Sequence, residues 1–347
     1  MKIGIPNNPR GFAKKWIEYC EQKNINYKLI DVYNNDVIKQ LEDCDAFMWH
    51  TNHLSRKDYQ VAKRLLTAIE HSGKVCFPSI YDNWHYDDKV AQKYLLEAIG
   101  APLIPSYVFY DEHEALDWAK KTDWPKVFKL TGGAGSSNVK LIHSEHEARK
   151  LIQRSFSKGF IAFDQRKYFL EEAFSKYRKH KSLWRLTKSF RHLLKPNNKE
   201  WVNHIEKDYV YFQNFMPNND YDLRLVVVNQ NRTFGLKRYN RKGDFKASGS
   251  GNMDFLNNDV DKSILKLSLD VAKKLKMNSV AYDIVFDPNH NPVIIEITYA
   301  YSTSAYEKCP GYWDENLNWI DGEIGNYSAW MVEKVIEQVG LKINKND

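Results

Sequence analysis

Apolar residues along this chain fall into short runs, and the spacing between runs changes character near residue 80. Before that point, residues 2–5, 27–31, 46–49 and 75–77 form compact apolar runs that read as strands. Residues 9–22 and 59–71, between them, carry apolar positions at helical spacing. Strand–helix alternation predicts an open parallel sheet, so residues 1–82 read as a small α/β domain. After that point the pattern becomes α+β. Residues 88–99 form a helix closed by Gly100, with Pro102 and Pro105 marking its exit. An extended run at 106–110, a helix at 112–121 and strands at 127–130 and 138–142 follow. A loop rich in Gly and Ser separates those last two strands. Residues 154–207 are basic and amphipathic, with Lys176, Lys179, Lys181 and Arg185 interleaved with Leu183, Leu186 and Phe190. Three β segments come next, at 209–213, 223–228 and 233–239, then a helix at 259–275. Residues 279–286 and 293–298 form a hairpin, and a helix at 324–339 closes the chain. The organisation expected is an N-terminal α/β domain over 1–82, a small lobe over 83–207 with a basic helical insertion at about 154–207, and a large lobe over 208–347.

With 347 residues, 43% of them apolar, the chain can bury a sizeable core in more than one domain. No run of ~18 apolar residues suggests a membrane span, and the opening MKIGIPNN lacks an apolar signal core. The expected location is the cytoplasm. Cys20, Cys44, Cys76 and Cys309 stand far apart in no metal-ligand spacing, which fits free thiols in a reducing compartment. The net charge of +7 favours anionic partners without selecting one.

Four stretches carry chemistry. In the hairpin, a six-residue loop from Asp287 to Pro292 places Phe286 opposite Val293 and therefore Asp283 opposite Glu296. Like charges directly across strands repel. A divalent cation with hard oxygen ligands would resolve the conflict, and Thr298 shares the face of Glu296. A solvated acidic edge is the other reading. The second stretch ends a strand with Lys129 and runs into Gly132–Asn138, where glycines and the hydroxyls of Ser136 and Ser137 can approach an anion. A plain hairpin turn competes. Asp87-Asp88-Lys89 opens a helix and is also good capping chemistry. The fourth is Gln213-Asn214-Phe215-Met216, then Asp222 and Arg224, then Arg238. A strand ending in a linker can offer main-chain groups to a planar base, and the arginines can stabilise developing negative charge. Surface salt bridges are the alternative there.

In this order the features resemble the ATP-grasp superfamily, above all its RimK-like and D-alanine–D-alanine-ligase-like members. The resemblance implies an ATP-grasp fold, mixed α/β and α+β, with a Rossmann-like pre-ATP-grasp domain at the N-terminus. It implies that Lys89 and Lys129 bind phosphate, with Gly135, Ser136 and Ser137 in the flexible loop above it. Gln213, Asn214, Phe215 and Met216 stand in the adenine hinge, and Asp222 and Arg224 in the family's Asp-Ile-Arg segment. Arg238 stands as the catalytic arginine, Arg224 beside it, and Asp283, Glu296 and Thr298 at the metal. Thr298 departs from the family's usual Asn, and Ser248 from the Asn of RimK-like members. The segment 154–207 is longer than the family's usual link between loop and hinge.

The cofactors so implied are ATP and Mg2+ or Mn2+. The activity implied is ligation, in which a carboxylate becomes an acylphosphate and is attacked by an amine. Its partners would be a small or polymeric acidic acceptor and an amine, with the oligomeric state open and compatible with a dimer. Phosphoryl transfer to a hydroxyl and a non-catalytic nucleotide-binding module are the alternatives. The basic segment also leaves a nucleic-acid or membrane-surface role to be weighed.

Overall fold

The computed structural model describes residues 1–132, 138–162 and 204–346. Gly135, Ser136 and Ser137 lie outside the described residues, as does the greater part of the basic segment, 163–203. The chain resolves into two compact units. One comprises residues 1–51, 60–104 and 216–347, the other residues 52–59 and 105–215.

The first unit contains two sheets. The N-terminal sheet is β1 (Ile3–Pro6), β2 (Tyr27–Ile30), β3 (Ala46–Met48) and β4 (Val75–Phe77), all parallel in the order β2-β1-β3-β4. This is the open parallel sheet that strand–helix alternation demands, because each crossover must return the chain to the same end. The helix Phe12–Gln22 buries Phe12, Ala13, Trp16 and Cys20 against it.

The second unit is built on β5 (Ser106–Phe109), β6 (Lys126–Lys129), β7 (Val139–Ile142) and β10 (Val210–Asn214), in the antiparallel order β5-β10-β6-β7. One face of that sheet packs Phe109, Phe128, Ile142 and Phe212 against the helices Glu112–Lys121 and Glu145–Ser155. A short ladder of β8 (Phe160–Ile161) and β9 (Ile205–Glu206) stands beside it.

The larger sheet of the first unit carries β11 (Tyr221–Val228), β12 (Arg232–Tyr239), β13 (Met253–Phe255), β14 (Ser279–Phe286), β15 (Pro292–Thr298), β16 (Gly311–Trp313) and β17 (Trp319–Asp321). Its central path runs β15-β14-β11-β12. Alternation along each strand divides it into two faces. Leu223, Leu225, Val227, Tyr282, Ile284 and Ile297 point to one core, beneath the helix Lys262–Leu275. Val226, Val228, Phe234, Leu236 and Ala281 point to the other, which they share with Ile3, Phe12 and Trp16 of the N-terminal sheet. The N-terminal α/β segment therefore shares one hydrophobic core with the large sheet.

The hairpin reaches the expected pairing by a different route. Phe286 lies opposite Pro292, one residue short of the register expected, and Val285 opposite Val293. The register then shifts at Asp283/Ile284, leaving Ile295 as an extra residue on β15. A bulge of this kind inserts one residue and re-aims the strand. The shift brings Asp283 opposite Glu296 after all.

Candidate active site

The charged residues of the large sheet lie in one row. Arg238 of β12 faces Asp222 of β11, Arg224 of β11 faces Asp283 of β14, and Asp283 faces Glu296 of β15. Asp222 and Arg224 are two apart on one strand, so their side chains share a face. It is the face whose other end is apolar, through Val226 and Val228. The two arginines, whose relative orientation the sequence leaves open, are thus side by side. Both reach the same carboxylate.

The geometry is tight. Arg224 donates from Nε and Nη2 to the two oxygens of Asp283, at 2.7 and 3.1 Å. Arg238 donates from Nε and Nη2 to the two oxygens of Asp222, both at 2.7 Å, and its Nη2 stands 2.9 Å from Asp283. Such forked pairs fix the guanidinium plane as well as its position. Burial pushes the Asp283 carboxyl up, but Arg224 and Arg238 outweigh it and hold the group down at about 2. Asp222 moves the other way, because burial and the neighbouring charge of Asp283 exceed what Arg238 restores. Burial works against charge on both arginines, yet the carboxylates raise both above the usual guanidinium value.

The two facing carboxylates, for which the sequence suggests a divalent cation or a solvated edge, are each met by cationic side chains of the protein. Asp283 is neutralised by the arginines, and Glu296 lies 3.3 Å from Lys89 Nζ. Local structure explains Lys89. Asp88 caps the helix Lys89–Ala98 by accepting the N–H of Ala91. Gln92, one turn along, accepts the N–H of Ile297 and donates to the carbonyl of His85. Residues three apart share a helix face, so docking Gln92 beside Ile297 carries Lys89 to Glu296. Lys89 is buried, and Glu296 and Asp87 raise its ammonium above the usual lysine value despite that burial. The cap and the ion pair to Glu296 therefore occupy adjacent residues. Thr298 sits on the face of Glu296, its hydroxyl donating to Ala300 O and accepting from Ala300 N.

Among the described residues no group of three or more His, Cys, Asp and Glu could hold a metal. Magnesium does not need one. It is commonly held by one or two carboxylates and completed by water and substrate phosphates. Asp283 and Glu296 supply that number of hard oxygen donors on adjacent strands, so the residues fit the ion.

In the second unit, Lys129 ends β6 and pairs with Tyr211, while Gln213 pairs with Val127. Lys129, Tyr211 and Gln213 share the face opposite the helices, and all three are buried. Gln213 donates to the phenolic oxygen of Tyr211 at 2.8 Å. Tyr211 is a member of this face that the sequence reading misses, since nothing separates it from an ordinary core tyrosine. The residues that flank the glycine-rich stretch are held by hydrogen bonds. Thr131 N donates to Tyr209 Oη, which donates to Glu206, and Asn138 donates to the carbonyl of Ala162. At the end of β10, Asn214 N donates to Pro105 O. In the first unit, Asn219 closes the turn after Met216 by exchanging two hydrogen bonds with the backbone of Phe286.

Residues 88–182 match the family described as carbamoyl-phosphate synthase L chain, ATP binding domain. Biotin carboxylase of Halalkalibacterium halodurans is 29% identical over 87 residues, which are 24% of this chain and 19% of that protein. Pyruvate carboxylase of Rattus norvegicus is 28% identical over 93 residues, 26% of this chain and 8% of that protein. The chain thus aligns with a fifth or less of the length of these curated relatives.

Solved structures align over nearly the whole chain. The RimK domain ATP-grasp protein of Sphaerobacter thermophilus covers 97% of this chain and 100% of its own, at 12% identity and a TM-score of 0.53. The ATP-grasp ligase PsnB covers 98% of each chain, at 11% identity and 0.55. D-alanine–D-alanine ligase of Bacillus anthracis covers 99% of this chain and 98% of its own, at 12% and 0.56. No helix among the described residues is long and apolar enough to cross a membrane. These alignments show that the chain has the ATP-grasp fold.

Proposed function

We infer that this chain is an ATP- and magnesium-dependent ligase that activates a carboxylate as an acylphosphate and joins it to an amine. The observation that carries the reading is the row Arg238–Asp222–Arg224–Asp283–Glu296 on one face of one sheet, met at Glu296 by Lys89 from the helix Lys89–Ala98. Among the structural relatives, PsnB is described in complex with Mg and ADP.

Lys89 and Lys129 would neutralise phosphate charge, and the loop containing Gly135, Ser136 and Ser137 would supply main-chain and hydroxyl donors. Residues Gln213 to Met216 would hold the adenine, with Asp222 placing Arg238. Asp283 and Glu296, with Thr298 beside them, would hold magnesium, which when bound offsets phosphate charge during transfer. The substrate carboxylate attacks the γ-phosphorus and ADP leaves as the bond to its bridging oxygen breaks; an amine then attacks the acylphosphate carbon, loses a proton and expels inorganic phosphate. Arg224 and Arg238 would face the oxyanion that forms in that second attack. Donors held rigidly by Asp222 and Asp283 need no reorganisation at that moment, which makes them effective. The acceptor fits an acidic molecule, small or polymeric, given the net charge of +7. A cytoplasmic location and a three-part division at residues 82 and 207 complete the proposal.

An ADP-release screen of carboxylic acids against amines, with product masses, tests the reading. ADP together with a mass equal to acid plus amine less water is expected. Phosphate transferred to a hydroxyl compound, with no amide product, would replace ligation by phosphotransfer.

A further inference from the structure

Away from the row of charges, the second unit carries a chain of hydrogen bonds that ends beside Lys129. The register of β6 against β10 pairs Lys129 with Tyr211, and continued it would set Thr131 opposite Tyr209. The ladder stops short of that pair, because β6 ends at Lys129 and β10 begins at Val210. A side chain takes over from the backbone there. Thr131 N donates to Tyr209 Oη at 2.7 Å, and Tyr209 Oη donates to Glu206 Oε2 at 2.6 Å. The other oxygen of Glu206 lies 2.8 Å from His204 Nε2. The His204 ring in turn stacks on Tyr59 of the same unit, with centroids 5.1 Å apart and planes 23° apart.

A backbone N–H can only donate, so the direction of the chain is fixed. The phenol accepts from Thr131 and spends its own proton on Glu206. Burial raises the Glu206 carboxyl, but its hydrogen bonds to His204 and Tyr209 outweigh burial and hold it below the usual value. Burial and the charge of Glu206 push the Tyr209 phenol up, so it keeps its proton. The support beneath is built to fit. β8 and β9 form two residue pairs, extended by the bond from Ala162 N to His204 O. Gly159 enters β8 with φ +67°, and a Cβ there would stand 2.6 Å from Glu206 O, so the close approach requires glycine. The same ladder holds the far flank of the glycine-rich stretch, since Asn138 Nδ2 donates to Ala162 O at 2.6 Å.

We propose that Tyr209 is a positioning residue, whose phenol, oriented by Glu206 and His204, fixes the path of the chain as it leaves Lys129 and thereby tightens the hold on nucleotide phosphate. This deepens the ligase reading and rests on it. Tyr209 touches no phosphate itself. It acts through Thr131, which follows Lys129 by two residues, so its effect belongs to the phosphates of the nucleotide and not to the base. The phenol suits the task because one oxygen both accepts from the main chain and donates to a carboxylate.

Tyr209→Phe keeps the ring and removes the link between Thr131 and Glu206. Mg–ADP and adenosine are the probes, titrated calorimetrically into the full chain. Tyr209→Phe is expected to bind Mg–ADP roughly three- to tenfold more weakly than wild type, the size of one hydrogen bond, and adenosine equally well. Glu206→Ala, which frees the phenol to turn, should lose about as much. The double variant should lose no more than either single variant, since both act through one bond to Thr131 N. Equal Mg–ADP affinity in wild type and Tyr209→Phe overturns the proposal. An equal loss for adenosine also overturns it, since the effect would then belong to the folding of the unit. Additive losses in the double variant overturn it as well, because Tyr209 and Glu206 would then act separately. A wild type that binds no Mg–ADP is a separate result that sinks the ligase reading itself.

Discussion

Asp82 and Asp283 have both been taken out of bulk water, and they have opposite fates. Asp82 is fully buried and accepts from the N–H groups of Ser79, Asn278 and Ser279 and from the hydroxyl of Ser79. Even so, burial dominates and lifts its carboxyl to about 6. Asp283 receives three contacts from two guanidinium groups and is held near 2. Four neutral donors do not offset burial, whereas two cations do. Asp82 ties the turn at Ser79 to the start of β14, and that work needs only a shape with acceptors. Asp283 is a charge kept ionised by the two arginines that it holds in place. The perturbed group in the site is recognised by its partners more than by its depth.

The sharpest way to break the contrast is to neutralise each aspartate in turn. Asp283→Asn should lower ligase turnover at least a hundredfold, by losing a metal ligand and the anchor of both arginines. It should also cost ~3–5 kcal/mol of stability, because two guanidinium groups lose a charged partner. Asp82→Asn should leave turnover within about twofold of wild type and cost ~1–3 kcal/mol, since its amide presents donors to the donors of Ser79. Steady-state rates with chemical denaturation decide it. Equal activity loss in the two variants would erase the distinction.

Next in size is the row's other carboxylate. Facing carboxylates suggest that removing Glu296 would relieve repulsion and stabilise the protein. The structure reverses that sign, because Glu296 compensates buried Lys89. Glu296→Ala should lower the melting temperature by several degrees. A rise would mean that Asp283 and Glu296 repel despite their cations.

Smaller still is a pH effect beside Asp82. His85, also fully buried, is lowered by burial to about 4, and its Nε2 lies 3.1 Å from the Tyr81 carbonyl. Between pH 4 and 6.5 the unfolded chain binds more protons at His85 than the folded one, so its contribution to stability rises with pH. At Asp82 the folded form binds more protons between 3.8 and about 6, so that contribution falls as pH rises. The difference in unfolding free energy between wild type and His85→Gln should therefore grow by ~3 kcal/mol from pH 4 to 6.5. A difference that stays constant with pH would show that His85 titrates normally in the folded state.

Much of the fold is legible in the sequence because local pattern and tertiary demand agree there. Val75–Phe77 and Ser279–Phe286 fall where alternation puts them. Other boundaries move by a few residues. The helix expected at 9–22 begins at Phe12, because the chain from Asn7 to Gly11 makes the turn out of β1. The bulge at Ile295 is invisible to pairing arithmetic, which assumes one residue against one. The register of Arg224 against Arg238 depends on the turn after Val228, where Asn229 and Gln230 both take positive φ. No periodicity encodes that. Lys89 is legible as the neighbour of a helix cap, but its meeting with Glu296 is a tertiary fact.

The central claim is that Asp283 and Glu296 serve a divalent ion together with nucleotide phosphates. Calorimetric titration of ADP with and without magnesium tests it most directly, in wild type and in Glu296→Gln. The account predicts that magnesium tightens ADP binding to wild type at least tenfold and leaves binding to the variant nearly unchanged. Equal magnesium dependence in the two proteins would contradict it.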